Sequence, residues 1–119
     1  MINNFNKDKL SILICSYDKA IDILKLYDDY LFKSSKNIKK GFSIFYGLNF
    51  HYPKKNFFHN KQILHSNRYE WSISLIDWLS NIKNEYILLL LDDQIIKKIS
   101  PKKINKIVND MNSNDIKYA

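Results

Sequence analysis

Glycine is nearly absent from this sequence, with only Gly41 and Gly47 in 119 residues. A P-loop and the G-x-G-x-x-G dinucleotide fingerprint each need glycines at a fixed spacing that two residues six positions apart do not provide. P-loop ATPases and Rossmann-type redox enzymes are therefore excluded. Cysteine is scarcer still: Cys15 stands alone, so no internal disulfide can form. Its position inside an apolar stretch marks it as an inert core residue, and a reducing, cytoplasmic setting fits. Arginine is also rare. Arg68 is the only one among 19 basic residues, and the formal charge of +7 comes from lysines spread along an Asn- and Ile-rich chain. Proteins that read phosphate and base lean on clustered arginine, so no nucleic-acid partner is expected. No apolar run approaches the roughly 20 residues that span a bilayer. Residues 1–9 are polar and do not read as a secretory leader. The basic charge leaves peripheral contact with the inner face of a membrane open.

The apolar content, by contrast, is ample. At 45% hydrophobic residues, the chain can fill the core of one modest domain. The most informative stretch is the run Tyr86–Leu91, which ends abruptly in the pair Asp92 and Asp93. An unbroken apolar run bounded by charge reads as a strand buried on both faces, and hence as part of a parallel sheet covered by helices. Leu10–Cys15 reads as a first strand. Ile21, Leu24, Tyr27 and Leu31 recur at helical spacing within 20–32, and aromatic and β-branched residues over 42–50 predict a second strand. Residues 51–67 lose periodicity and are expected to form an extended loop. Helical spacing returns over 70–82 and leads into the acidic-ended strand. Ser100 and Pro101 start another helix, with Ile104, Ile107, Val108 and Met111 on its apolar face. Residues 116–119 resemble the opening of a further strand. The fold expected is an α/β, three-layer domain with a mainly parallel sheet and helices on both faces, and it is incomplete.

In parallel sheets ligands bind beyond the carboxyl ends of the strands. Adjacent carboxylates at such a place repel each other unless a cation or a set of donors compensates them. Asp92 and Asp93 are thus candidate ligands for Mn²⁺ or Mg²⁺, hard ions that prefer carboxylate oxygen. The plainer reading is an acidic strand end facing solvent. Ser16, Tyr17 and Asp18 follow the first strand at the same sheet end. They form either a nucleotide-holding loop or a simple turn in which Asp18 caps the helix. His51, His59 and His65 are irregularly spaced and read as solvated loop residues rather than zinc ligands. Trp71 and Trp78, two turns apart, read as core packing. Lys97, Lys98, Lys102 and Lys103 read as a solvated face.

These residues resemble a known family. Residues 10–19 (Leu-Ser-Ile-Leu-Ile-Cys-Ser-Tyr-Asp-Lys) are similar to the opening strand and loop of a GT-A glycosyltransferase, in which apolar residues lead into Pro-Thr-Tyr-Asn-Arg. Residues 71–93 resemble the helix and strand that deliver the family's metal-binding Asp-x-Asp motif. The similar parts span most of 10–119. The resemblance implies a Rossmann-like GT-A fold of the kind bacteria use to build surface polysaccharides, with residues 1–119 as the amino-terminal, donor-binding part. It implies that Asp92 and Asp93 bind Mn²⁺ or Mg²⁺ and the diphosphate of a nucleotide-sugar, that Ser16, Tyr17 and Asp18 line the nucleotide pocket, and that a glycan or lipid-linked acceptor receives the sugar.

The chain departs from the family at three points. Counting from Asp92, the third motif position is Gln94, so either Leu91-Asp92-Asp93 is the true frame or the site is weakened. The second strand carries no acid near the expected base. No catalytic residue is assigned, because the acceptor site and any general base belong to a carboxyl-terminal half. The chain alone is then expected to be inactive. Two alternatives stay open: a non-catalytic, partner-dependent module, and a nucleotidyltransferase, which would be expected to carry a Gly-rich basic loop after the first strand.

Overall fold

The computed structural model describes residues 10–34, 43–50, 53–84, 86–92 and 101–114. The elements in chain order are β1 (Leu10–Cys15), a 3-10 turn (Asp18–Ala20), α1 (Ile21–Ser34), β2 (Ser43–Leu48), β3 (Ile63–His65), α2 (Trp71–Leu79), β4 (Tyr86–Leu91) and α3 (Pro101–Ser113). The four strands form one sheet in the order β3-β2-β1-β4, and every pairing is parallel. The fold is α/β, as the alternation of apolar runs and helical periodicity predicts.

Alternation along β1 divides the core in two. Leu10, Ile12 and Ile14 pack with Leu24, Tyr27 and Leu31 of α1 and Val108 of α3. Leu13 and Cys15 point the other way, onto Trp78 of α2 and Ile82. Helices therefore cover both faces of the sheet, and β1, whose six residues are all buried, is the central strand. On the α2 side the layers meet very closely. A Cβ added at Gly47 would lie 2.6 Å from the Trp78 ring, so glycine is required in β2 to let the indole lie flat on the backbone.

Two expectations need correction. The Tyr86–Leu91 run does form β4, yet it is not buried on both faces. Only Leu90 is buried, and Leu89 and Leu91 are 43% and 37% exposed, because β4 is an edge strand among the described residues and Ile87 is the residue of its α2 side that packs with the Trp78 cluster. Second, residues 51–67 are not wholly irregular: Ile63–His65 form β3 by pairing with Tyr46, Gly47 and Leu48. The start of the expected second strand (Phe42), the helix cap Ser100, His51, Asp93, Gln94, Lys97, Lys98 and the expected strand at 116–119 lie outside the described residues.

Candidate functional site

The strand order reverses at β1, since the chain builds β2 and β3 to one side and then places β4 on the other. At such a switch point the loops leaving adjacent strands diverge and open a crevice at their carboxyl ends. A pocket of about 630 Å³ lies there, and its lining includes Ser16, Tyr17, Asp18 and Asp92. All four of these predicted site residues are brought together, although Ser16 and Asp92 are 76 positions apart. Parallel pairing explains the meeting: Cys15 stands opposite Leu91 in the register, so the next residue of each strand emerges at the same level. The Asp92 amide donates to the Cys15 carbonyl at 3.2 Å, and the Ser16 amide donates to Gly47 O at 2.9 Å.

The four side chains do different things. The Ser16 hydroxyl donates to Asp92 Oδ2 at 2.7 Å. Asp18 neither caps the following turn, whose N-terminal position is Tyr17 with no side-chain cap, nor projects freely into the pocket. Its carboxylate accepts the backbone amides of Asn49 at 3.2 Å and Phe50 at 2.9 Å, tying the loop after β1 to the loop after β2. Tyr17 is the exposed member of the group and offers a ring face at the pocket mouth.

Sequence reasoning missed the opposite wall. Asn49 and Phe50 leave β2 at the same sheet end, and Tyr69, Trp71 and Ser74 complete that side. Asn49 is buried and donates through Nδ2 to the Arg68 carbonyl at 2.8 Å and to Ser74 Oγ at 3.2 Å. The rings of Phe50 and Tyr69 lie 4.4 Å apart. Trp71, expected in the core, is 49% exposed at the rim, and it meets Trp78 edge-on at 6.0 Å. Trp78 alone is core, with its Nε1–H donating to Leu48 O at 2.9 Å. The signal available in the sequence was position: residues that directly follow a parallel strand share the ligand end of the sheet.

Asp28, Asp29 and His59 form a second group, whose ligand atoms lie within 4.8 Å of one another. Their bonding is already committed. Asp28 accepts Tyr46 Oη–H at 2.5 Å and the amides of His59 at 2.7 Å and Asn60 at 3.2 Å. Asp29 pairs with Lys25 at 2.8 Å and lies 3.2 Å from His59 Nε2. The hydrogen bond from Lys25 holds the Asp29 carboxyl below the usual carboxylate range. This cluster fastens α1 to the loop before β3. His65, at the end of β3, is half-buried rather than solvated, and burial lowers its pKa.

Burial first, and the Asp92 charge second, push the Cys15 thiol up to about 12. Since the thiolate is the nucleophile, Cys15 is inert in the folded chain. The sign of the pH effect follows. An ordinary thiol ionises near pH 8.5, so the shift contributes its full stability below that pH and loses it as pH rises through about 12. Iodoacetamide at pH 8 is expected to leave Cys15 unmodified in native protein and to label it readily in urea; native labelling at the free-thiol rate would contradict this environment.

No helix among the described residues is long and apolar enough to cross a membrane. No family model, curated protein or solved structure matches the chain.

Proposed function

We propose that this chain is the donor-binding half of a metal-assisted glycosyltransferase, taking a nucleotide-sugar whose glycosyl group passes to a glycan or lipid-linked acceptor. The observation that supports this reading is the convergence of Ser16, Tyr17, Asp18 and Asp92 on one pocket at the point where the strand order reverses. The residues present suit a hard divalent ion: the half-buried Asp92 carboxylate sits at the pocket edge with one oxygen already oriented, and Asp93 follows it directly. Bound there, Mn²⁺ or Mg²⁺ would neutralise the diphosphate leaving group.

The chain's own residues provide binding and exclusion. Tyr17, Phe50, Tyr69 and Trp71 give the pocket an apolar, aromatic rim of the kind on which planar or ring-shaped ligands pack. Asp18 keeps two of the wall-forming loops at fixed separation. The acceptor and the general base lie beyond what these residues supply.

Calorimetric titration with a panel of uridine, guanosine, cytidine and thymidine diphosphate sugars, with and without Mn²⁺, tests the reading. At least one is expected to bind in a Mn²⁺-dependent way. Asp92→Asn and Asp93→Ala are each expected to weaken that binding by about 10- to 100-fold, the loss of a charged contact worth about 1.5–3 kcal/mol. Unchanged affinity in either variant would remove that residue from the site.

A partner-dependent module is the second reading. The exposure of Leu89 and Leu91 on the α2 face of β4 favours it, and it predicts metal-independent behaviour and no turnover.

A further inference from the structure

Ser16 has the same bonded partner that the proposed metal would have. It is 4% exposed, and its main chain is fixed by the bond from its amide to Gly47 O. A serine hydroxyl has one proton to donate, and here it goes to Asp92 Oδ2 at 2.7 Å. Ser16 therefore has no proton left for a ligand while that bond holds. Among the described residues Asp92 Oδ1 accepts no hydrogen bond, so the carboxylate is held by one oxygen while the other remains available. An aspartate just past the end of a strand would otherwise sample several staggered χ1 rotamers, and orienting it in advance removes an ordering cost from ion binding.

We infer that Ser16 is a positioning residue for the cation site: it acts through Asp92, not by touching the nucleotide-sugar, an inference that rests on the donor-site reading above. Outer partners that orient a metal-binding carboxylate are worth about 10- to 100-fold in metal affinity. The same bond links β1 to β4, so a purely structural role must be told apart from positioning. The fold supplies its own control. Ser11, at the other end of β1, is fully buried and donates its hydroxyl to Asn84 Oδ1. It is a comparable side-chain bond on the same strand, away from the pocket.

The experiment is Mn²⁺ binding to the full chain in the presence of inorganic pyrophosphate, followed by the loss of the free-ion paramagnetic resonance signal, with thermal midpoints recorded alongside. Ser16→Ala is expected to weaken Mn²⁺ binding by about 10- to 100-fold. Ser16→Thr, which keeps the hydroxyl, and Ser11→Ala, which loses stability only, should stay within about threefold of wild type, a difference below about 0.7 kcal/mol. Positioning is overturned if Ser16→Ala binds as wild type does. It is also overturned if Ser16→Thr is as weak as Ser16→Ala, or if Ser11→Ala is equally impaired. A wild-type chain that takes up no Mn²⁺, or an Asp92→Asn chain that binds it normally, overturns the donor-site reading itself and this inference with it.

Discussion

Asp28→Ala is expected to cost about 3–5 kcal/mol of folding stability, because several buried donors lose their shared acceptor at about 1–3 kcal/mol for each one left unsatisfied. Asp28 is fully buried and receives three donors: the Tyr46 hydroxyl and the backbone amides of His59 and Asn60. Alanine would leave all three facing an apolar cavity, and an unsatisfied buried group costs about 1–3 kcal/mol. Tyr46 cannot relieve the loss by turning outward. It is itself fully buried and edge-packed on Phe58 at 5.3 Å, and burial, reinforced by the bond to Asp28, drives its phenol far above the usual range. A domain of this size has only about 5–15 kcal/mol in total, so the variant should be close to unfolding at ambient temperature. Urea unfolding is the measurement, with an unchanged m-value expected. Asp28→Asn should lose less, because it keeps one acceptor but sets an NH₂ group against an N–H donor. A loss below about 1 kcal/mol for Asp28→Ala would show that the three donors find other partners.

Gly47→Ala is expected to be the most damaging single-methyl addition, at about 1–3 kcal/mol or somewhat more. The new Cβ would sit 2.6 Å from Trp78 Cδ2 and 2.7 Å from Cε2 and Cε3, well inside contact distance. Neither side can yield cheaply. Trp78 is 1% exposed, is packed with Leu13, Cys15 and Ile82, and is held to the adjacent residue's carbonyl through its indole nitrogen. The Gly47 backbone in turn is paired to both β1 and β3. A double-mutant cycle checks the cause. In a Trp78→Leu background, where the flat ring is gone, the Gly47→Ala penalty should shrink to a few tenths of a kcal/mol. An undiminished penalty there would place the damage in the strand pairing instead.

Much of this architecture can be read from residue order alone, for physical reasons that differ by element. Leu10–Cys15 and Tyr86–Leu91 announce themselves as strands because each is an unbroken apolar run, and α1 because Leu24, Tyr27 and Leu31 keep a helical period. Those features are local. What covers a strand is not local, which is why Tyr86–Leu91 reads as doubly buried although its neighbours leave Leu89 and Leu91 exposed. Ile63–His65 escapes notice for a related reason: three residues carry no period, and their strand exists only because Tyr46, Gly47 and Leu48 offer a free edge. At the site, Ser16, Tyr17, Asp18 and Asp92 are legible because they directly follow apolar runs. Trp71 is misplaced because spacing puts it on the same helix face as Trp78, but not where the sheet beneath that helix ends. The commitment of Asp18 to the amides of Asn49 and Phe50 depends on loop geometry that composition does not encode.

The two tryptophans stand in opposite environments one ring apart. Trp78 is sealed in the core with its nitrogen bonded, and Trp71 hangs half-exposed over the pocket. The chain thus contains two optical reporters of different events. Emission from Trp71 is open to quenching by whatever occupies the pocket, whereas a red shift from Trp78 requires the α2 layer to lift from the sheet. Their edge-on contact also couples the two transitions in near-ultraviolet circular dichroism, so displacement of either ring changes that signal and no attached label is needed.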